Sequence, residues 1–307
     1  MGTRPGSSSE RRPVVDPVWL VKAFGIAVLI AVICGYLTLC ALFYQGQWQI
    51  VLHPTRTSAP PETIAGVAFQ SVRFGTEKTG LPQITGWWIP SDPGAAFAHV
   101  TMLYLPGGDG SLANDQATLA SLHRVGVSIL AVDYRGYGGS ANFHPGEQSM
   151  TDDARSAWAY LTESRGLPGE GIVPYGKGVG ASLALTLARS EPAVRAVVLD
   201  NPDFDVEQRV RSDARSRMVP VRLLLRERFA LLPALGESTV PKLILSRGDH
   251  EDPAIRSAAD PKITVALPPS SVDRYTEAVQ RFLAQYLPAG QPSPRVATPA
   301  PSPKTGR

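Results

Sequence analysis

The chain has 307 residues, 30 Lys and Arg against 27 Asp and Glu, and a formal net charge of +3. That length fits one sizeable domain with flanking segments. Much of the small basic excess sits in the two ends (Arg4, Arg11, Arg12, Lys304, Arg307), so no basic stripe and no nucleic-acid partner is expected. The only cysteines, Cys34 and Cys40, lie in an apolar N-terminal run, which leaves the remainder without a disulfide or a thiolate metal site. Neither a cofactor nor a metal is expected.

Residues 1–17 are polar, with Pro, Ser and Arg, and are expected to be disordered. Ala23 to Tyr44 is 22 residues without a charge. About 20 apolar residues cross a hydrocarbon core, whereas a signal-peptide core is usually only ~7–15 residues. The reading is a retained single-pass membrane anchor over 18–44, with a cleaved leader or a buried core helix as the alternatives. Arg4, Arg11, Arg12 and Lys22 precede the span, which orients the N-terminus to the cytoplasm and the domain to the extracytoplasmic side. Residues 45–66 then read as a membrane-proximal linker.

Over 67–287 strands and helices alternate. Strands are expected within 67–75, 84–90, 100–106, 123–134, 171–176, 194–200, 241–246 and 262–268. Short apolar runs bounded by Gly and Pro suit strands buried on both faces. Helical patterns occupy 113–124, 150–164, 179–190 and 272–287; in the last, Val272, Tyr275, Val279, Phe282, Leu283 and Tyr286 share one face. This βαβ order implies a mainly parallel sheet with right-handed crossovers and helices on both faces. The tail 288–307 is rich in Pro, Ala and Ser and is expected to be disordered.

The stretch "IVPYGKGVGASLALTLA" (172–188) reads as strand, glycine turn and helix. A nucleophile elbow, G-x-S-x-G, has that layout, but its middle residue here is Gly178. Other stretches join it in order: "YLPGGDGSL" (104–112), "AVDYRGYGGS" (131–140), "FHPGEQSMTDDARSAWAYL" (143–161), "VVLDNPDFD" (197–205) and "VPVRLLLRERF" (219–229), preceded by "YQGQWQIVLHPTR" (44–56). Together they resemble the α/β-hydrolase family, and within it the membrane-anchored single-domain serine hydrolases, the peptidase-like esterases, over about residues 20–287. The resemblance implies an α/β-hydrolase fold.

It also implies a serine, a histidine, an acid and oxyanion amides, which this chain departs from. Gly178 stands at the nucleophile position, and neither Lys177 nor Val179 points where an elbow residue points. Ser182, one helical turn on, is the displaced alternative. The histidine belongs after the last strand, yet 265–275 has none; the five histidines are His53, His99, His123, His144 and His250. The acid belongs after the seventh strand, where Asp249 is nearest and Glu251 and Asp252 follow. Backbone amides near Gly107, Gly108 and Val179 would survive as oxyanion donors. The expectation is a non-catalytic protein that binds a small carbonyl or carboxylate ligand, or a protein partner. Two alternatives stay open: an active hydrolase with a rearranged site drawn from Ser111 or Ser140 with His144 or Asp133, and an assembly component using the Pro-rich tail as a flexible arm.

Overall fold

The computed structural model describes residues 17–56, 61–64, 66–76, 80–247, 252–268 and 272–288. The ends expected to be disordered, 1–17 and 288–307, lie outside these residues but for Pro17 and Pro288. In chain order the helices and strands are α1 (Pro17–Gly46), α2 (Trp48–Val51), β1 (His53–Pro54), β2 (Gln70–Thr76), β3 (Pro82–Ile89), β4 (Thr101–Leu105), β5 (Asp109–Gly110), α3 (Gln116–Arg124) and β6 (Ser128–Asp133). They continue with α4 (Glu147–Ala159), β7 (Ile172–Lys177), α5 (Gly180–Ser190), β8 (Val197–Asp200), α6 (Val206–Ser212), α7 (Val221–Leu224), α8 (Leu231–Glu237), β9 (Lys242–Arg247), β10 (Lys262–Leu267) and α9 (Val272–Tyr286).

α1 runs unbroken for 30 residues, long and apolar enough to cross a membrane, and almost all of it is exposed. Its last turns meet the domain, where Phe43 is buried. The segment read as a linker is packed rather than loose at its start. Val51 and Leu52 are buried in the main core, and His53–Pro54 pairs parallel with Asp109–Gly110. The Gln47 side chain donates to the Leu224 carbonyl at 3.1 Å and accepts from the Arg226 N–H at 2.6 Å. A short apolar piece with no periodicity carries no sequence signal for this docking.

Eight strands form one sheet in the order β10-β9-β8-β7-β4-β6-β3-β2, antiparallel only at β2–β3 and β3–β6. β4, β6 and β8 are buried along their whole lengths, because helices cover both faces. Alternation splits the strands between two cores: Leu103 and Leu105 face α4, α5 and α8, while Met102 and Tyr104 face α3 and α9. The helix expected over 150–164 starts earlier, at Glu147, and its last turn, Tyr160–Ser164, loosens to a π-helix. In α9, Tyr275, Val279, Phe282 and Leu283 are buried as the stripe predicts, whereas Val272 at its start is exposed. Between β8 and β9 an insertion carries α6, α7 and α8, and α7 touches the end of α1.

Candidate functional site

β7 stops at Lys177 and α5 starts at Gly180, so the chain turns from strand to helix in two residues. A Cβ added at Gly176 would fall 2.3 Å from the Gly180 carbonyl oxygen, and one at Gly180 would fall 2.3 Å from that of Leu105. Backbone packs on backbone at both, and neither position can take a side chain. Gly178, at the apex, is different. Its Cβ would meet only Gly107, at 3.4 and 3.7 Å, which is ordinary contact. Space does not forbid a side chain there; the cost would come from φ +54, in the left-handed region. The turn is fixed by its own backbone: Gly178 N–H donates to the Asp200 carbonyl at 3.0 Å, and its carbonyl accepts from Ala181 and Asp203 at 3.2 Å each.

Gly178 lies against a hollow of about 440 Å³, bounded also by Gly107, Asp109, Asp115, Lys177, Val179 and Asp203. Gly108, at φ +85, turns the adjoining loop so that its carbonyl accepts from His53 N–H at 2.9 Å and from the Tyr137 hydroxyl at 3.0 Å. Among the described residues no group accepts from the N–H of Gly108 or of Val179. They are two of the three amides, with that of Gly107, that the sequence points to as oxyanion donors.

The charged side chains around the hollow are matched one to one. The Lys177 ammonium pairs with the buried Asp115 carboxylate. Arg209 pairs with Asp203 at 3.1 Å, and His53 Nδ1 lies 2.7 Å from Asp109 Oδ1. Burial pushes the Asp203 carboxyl up, and Arg209 opposes that shift. Three carboxylates and two permanent cations border the hollow, so it carries no surplus of positive charge.

None of the four described histidines borders the hollow. His53, on β1, is held by Asp109, which does border it. His99 lies 3.4 Å from the Leu287 carbonyl, His123 lies 3.0 Å from that of Pro90, and His144 packs on Trp48 with centroids 5.5 Å apart. His250, Asp249 and Glu251 lie outside the described residues. Asp252 caps the 3-10 turn Pro253–Ser257 by accepting from Ala254 N–H at 2.8 Å.

The serines of the rearranged alternative are occupied elsewhere. Ser140 is buried, donates to the Asp133 carbonyl at 2.5 Å and accepts from Thr85 N–H at 2.8 Å. Ser111 is buried and caps the 3-10 turn Leu112–Asn114. Ser182 donates to the Val179 carbonyl at 2.8 Å. Asp133 accepts from Leu112 N–H at 3.0 Å and is pushed up to about 6 by burial. Arg135 grips buried Asp153 through its backbone N–H and Nε, at 2.8 and 2.6 Å. These two acids hold loops, the role their surroundings dictate.

Sequence reasoning missed one buried chain. Tyr275 donates to the Tyr175 hydroxyl at 2.9 Å, and Tyr175 donates to Asp200 Oδ2 at 2.7 Å, with Arg247 3.6 Å from the same oxygen. It ties α9 to β7 and β8 behind the turn. Burial, reinforced by Asp200, pushes both tyrosine hydroxyls far above their ordinary range.

A family model described as serine aminopeptidase, S33, matches residues 98–298. The chain belongs to that family. Two uncharacterised Mycobacterium tuberculosis proteins are 26% and 25% identical to this S33-family chain over 87% and 88% of its length, and over 96% and 98% of theirs. A chicken lysophosphatidylserine lipase is 28% identical over 38% of this chain and 31% of its own. Among solved structures, a Pyrococcus furiosus esterase aligns with a TM-score of 0.59 at 15% identity, covering 78% of this chain and 99% of its own. A Vibrio vulnificus α/β hydrolase aligns with a TM-score of 0.52 at 20% identity, over 71% and 78%. The sheet order and the strand–turn–helix at Gly178 are therefore those of an α/β-hydrolase fold.

Proposed function

We propose that this S33-family chain is a membrane-tethered, non-catalytic member that binds a neutral carbonyl compound, an ester or amide, in the hollow above Gly178. The carrying observation is an apex residue without a side chain beside two N–H groups, of Gly108 and Val179, that have no acceptor among the described residues. The binding half of an acyl-transfer site is kept while its nucleophile is absent. Removing a nucleophile or base in a serine protease costs on the order of a millionfold in kcat.

α1 is read as the anchor, with the N-terminus cytoplasmic and the domain on the far side. The basic flank before the span and the exposure of α1 support this. A protein partner bound through the Pro-rich tail remains compatible with the same scaffold.

The test is p-nitrophenyl ester hydrolysis by the full-length chain in detergent. The proposal expects turnover equal to a heat-denatured control; turnover well above that control overturns it. A second reading has the His53–Asp109 pair in its favour, with the imidazole acting on a water at the rim of the hollow. It requires ester turnover that His53→Ala abolishes.

A further inference from the structure

The small net charge conceals a local concentration of arginine. Seven arginines fall between residues 209 and 228, against Asp213 and Glu227. Most have partners: Arg209 has Asp203, Arg215 has Asp213, and Arg222 has Glu207 at 3.2 Å. Arg226 lies over the Tyr44 ring, and Arg228 donates to the carbonyls of Leu225 and Arg222. Arg211 and Arg217 have no acidic partner among the described residues.

Arg211, Arg217 and Arg222 border one hollow of about 450 Å³ between α6 and α7. Ser216 borders it too. Ser216 is 2% exposed, and its hydroxyl has no hydrogen-bond partner among the described residues. A buried hydroxyl left without a partner is costly and calls for an explanation. Two guanidinium groups without an acidic partner among the described residues, the Glu207-paired Arg222 and a spare hydroxyl donor border this hollow, and a phosphate accepts several charge-assisted bonds at once.

The surface beside this hollow is apolar. Met218 is 74% exposed and Leu223 is 83% exposed, more than any large apolar residue of α1, where Phe24 reaches 73%. Large apolar side chains standing out among arginines are the composition of a face that lies on a membrane. The position agrees. α7 is tied to the end of α1 through Gln47, which bonds to Leu224 and Arg226, and Arg226 lies 5.4 Å from the Tyr44 ring centroid. α7, which carries Arg222 and Leu223, therefore stands where α1 leaves its apolar run.

We propose that the hollow of Arg211, Arg217, Arg222 and Ser216 binds the phosphate of an anionic phospholipid. Met218 and Leu223 enter the acyl layer beside it, and the insertion seats the domain on the bilayer that holds α1. This rests on α1 spanning that bilayer, and is independent of whether the Gly178 hollow is catalytic.

The test follows the thermal midpoint of the full-length chain in a neutral detergent during titration with dihexanoyl phosphatidylglycerol, dihexanoyl phosphatidylcholine or inorganic phosphate. A ligand that binds only the native state raises the midpoint. The phosphatidylglycerol is expected to raise it by several degrees, the phosphatidylcholine to leave it unchanged, and phosphate alone to act only at concentrations at least tenfold higher. Arg211→Gln/Arg217→Gln, at two exposed positions, is expected to keep the starting midpoint and lose the shift; Ser216→Ala is expected to weaken it. Equal shifts from the two lipids, a phosphate response equal to that of phosphatidylglycerol, or a shift that survives the double substitution would each overturn the proposal. Alkaline carbonate extraction of native membranes reads the anchor separately, so a failed span and a failed headgroup site give different results.

Discussion

Replacing Gly178 by serine separates the cost of the turn from the loss of the chemistry. The new Cβ would lie 3.4 Å from Gly107 Cα, so packing does not resist it. The penalty is conformational: a side chain at φ +54 costs about 1–2 kcal/mol. For a domain of this size that lowers the thermal midpoint by roughly 2–8 °C. A hydroxyl would then stand near the Gly108 and Val179 amides with no described histidine on the hollow to take its proton. Gly178→Ser is therefore expected to fold, to hydrolyse p-nitrophenyl butyrate no faster than the parent chain, and to resist a fluorophosphonate probe. Calorimetry, initial rates and intact-mass spectrometry read the three outcomes. A hundredfold gain in turnover would refute the reasoning, because it would require a working base within reach of the turn.

Gly180→Ala forces a Cβ to 2.3 Å from the Leu105 carbonyl oxygen. It should cost upward of about 3 kcal/mol through backbone displacement, seen as a lower midpoint or loss of folded protein. Burial raises the Asp133 and Asp153 carboxyls to about 6. A carboxyl with a folded pKa above its unfolded value binds its proton more tightly in the native state. Stability should therefore be greatest below about pH 4 for these two groups and fall as pH rises through about 6, by about 3 kcal/mol per group. Urea unfolding midpoints at pH 5 and pH 8 check the direction, and Asp133→Asn should remove about half of the difference. Tyr275→Phe removes the donor to Tyr175 and should cost about 1 kcal/mol. In a double-mutant cycle with Tyr175→Phe that cost should not add.

The sheet was legible because its signal is local. β4, β6, β7 and β8 are continuous apolar runs, and the α9 stripe repeats at helical spacing. The turn at Gly178 was legible for the same reason, since its three glycines and the helix after them are contiguous. The surroundings of the turn were not. His53 meets Asp109 across 56 residues, and Lys177 meets Asp115 across 62. Only the folded chain brings those charges together. Ser111 and Ser140 looked eligible as nucleophiles because a sequence does not show that a hydroxyl is buried and bonded to backbone. The docking of Val51 and Leu52, and the arginine-lined hollow of the insertion, depend likewise on contacts that no periodicity announces.

The proposed function holds that the fold keeps oxyanion amides without a nucleophile. Intact-mass spectrometry of the folded wild-type chain after exposure to a fluorophosphonate tests it most directly. The account predicts an unchanged mass and no labelled serine. A stoichiometric phosphonyl adduct on any serine of the native protein, absent after heat denaturation, would contradict it.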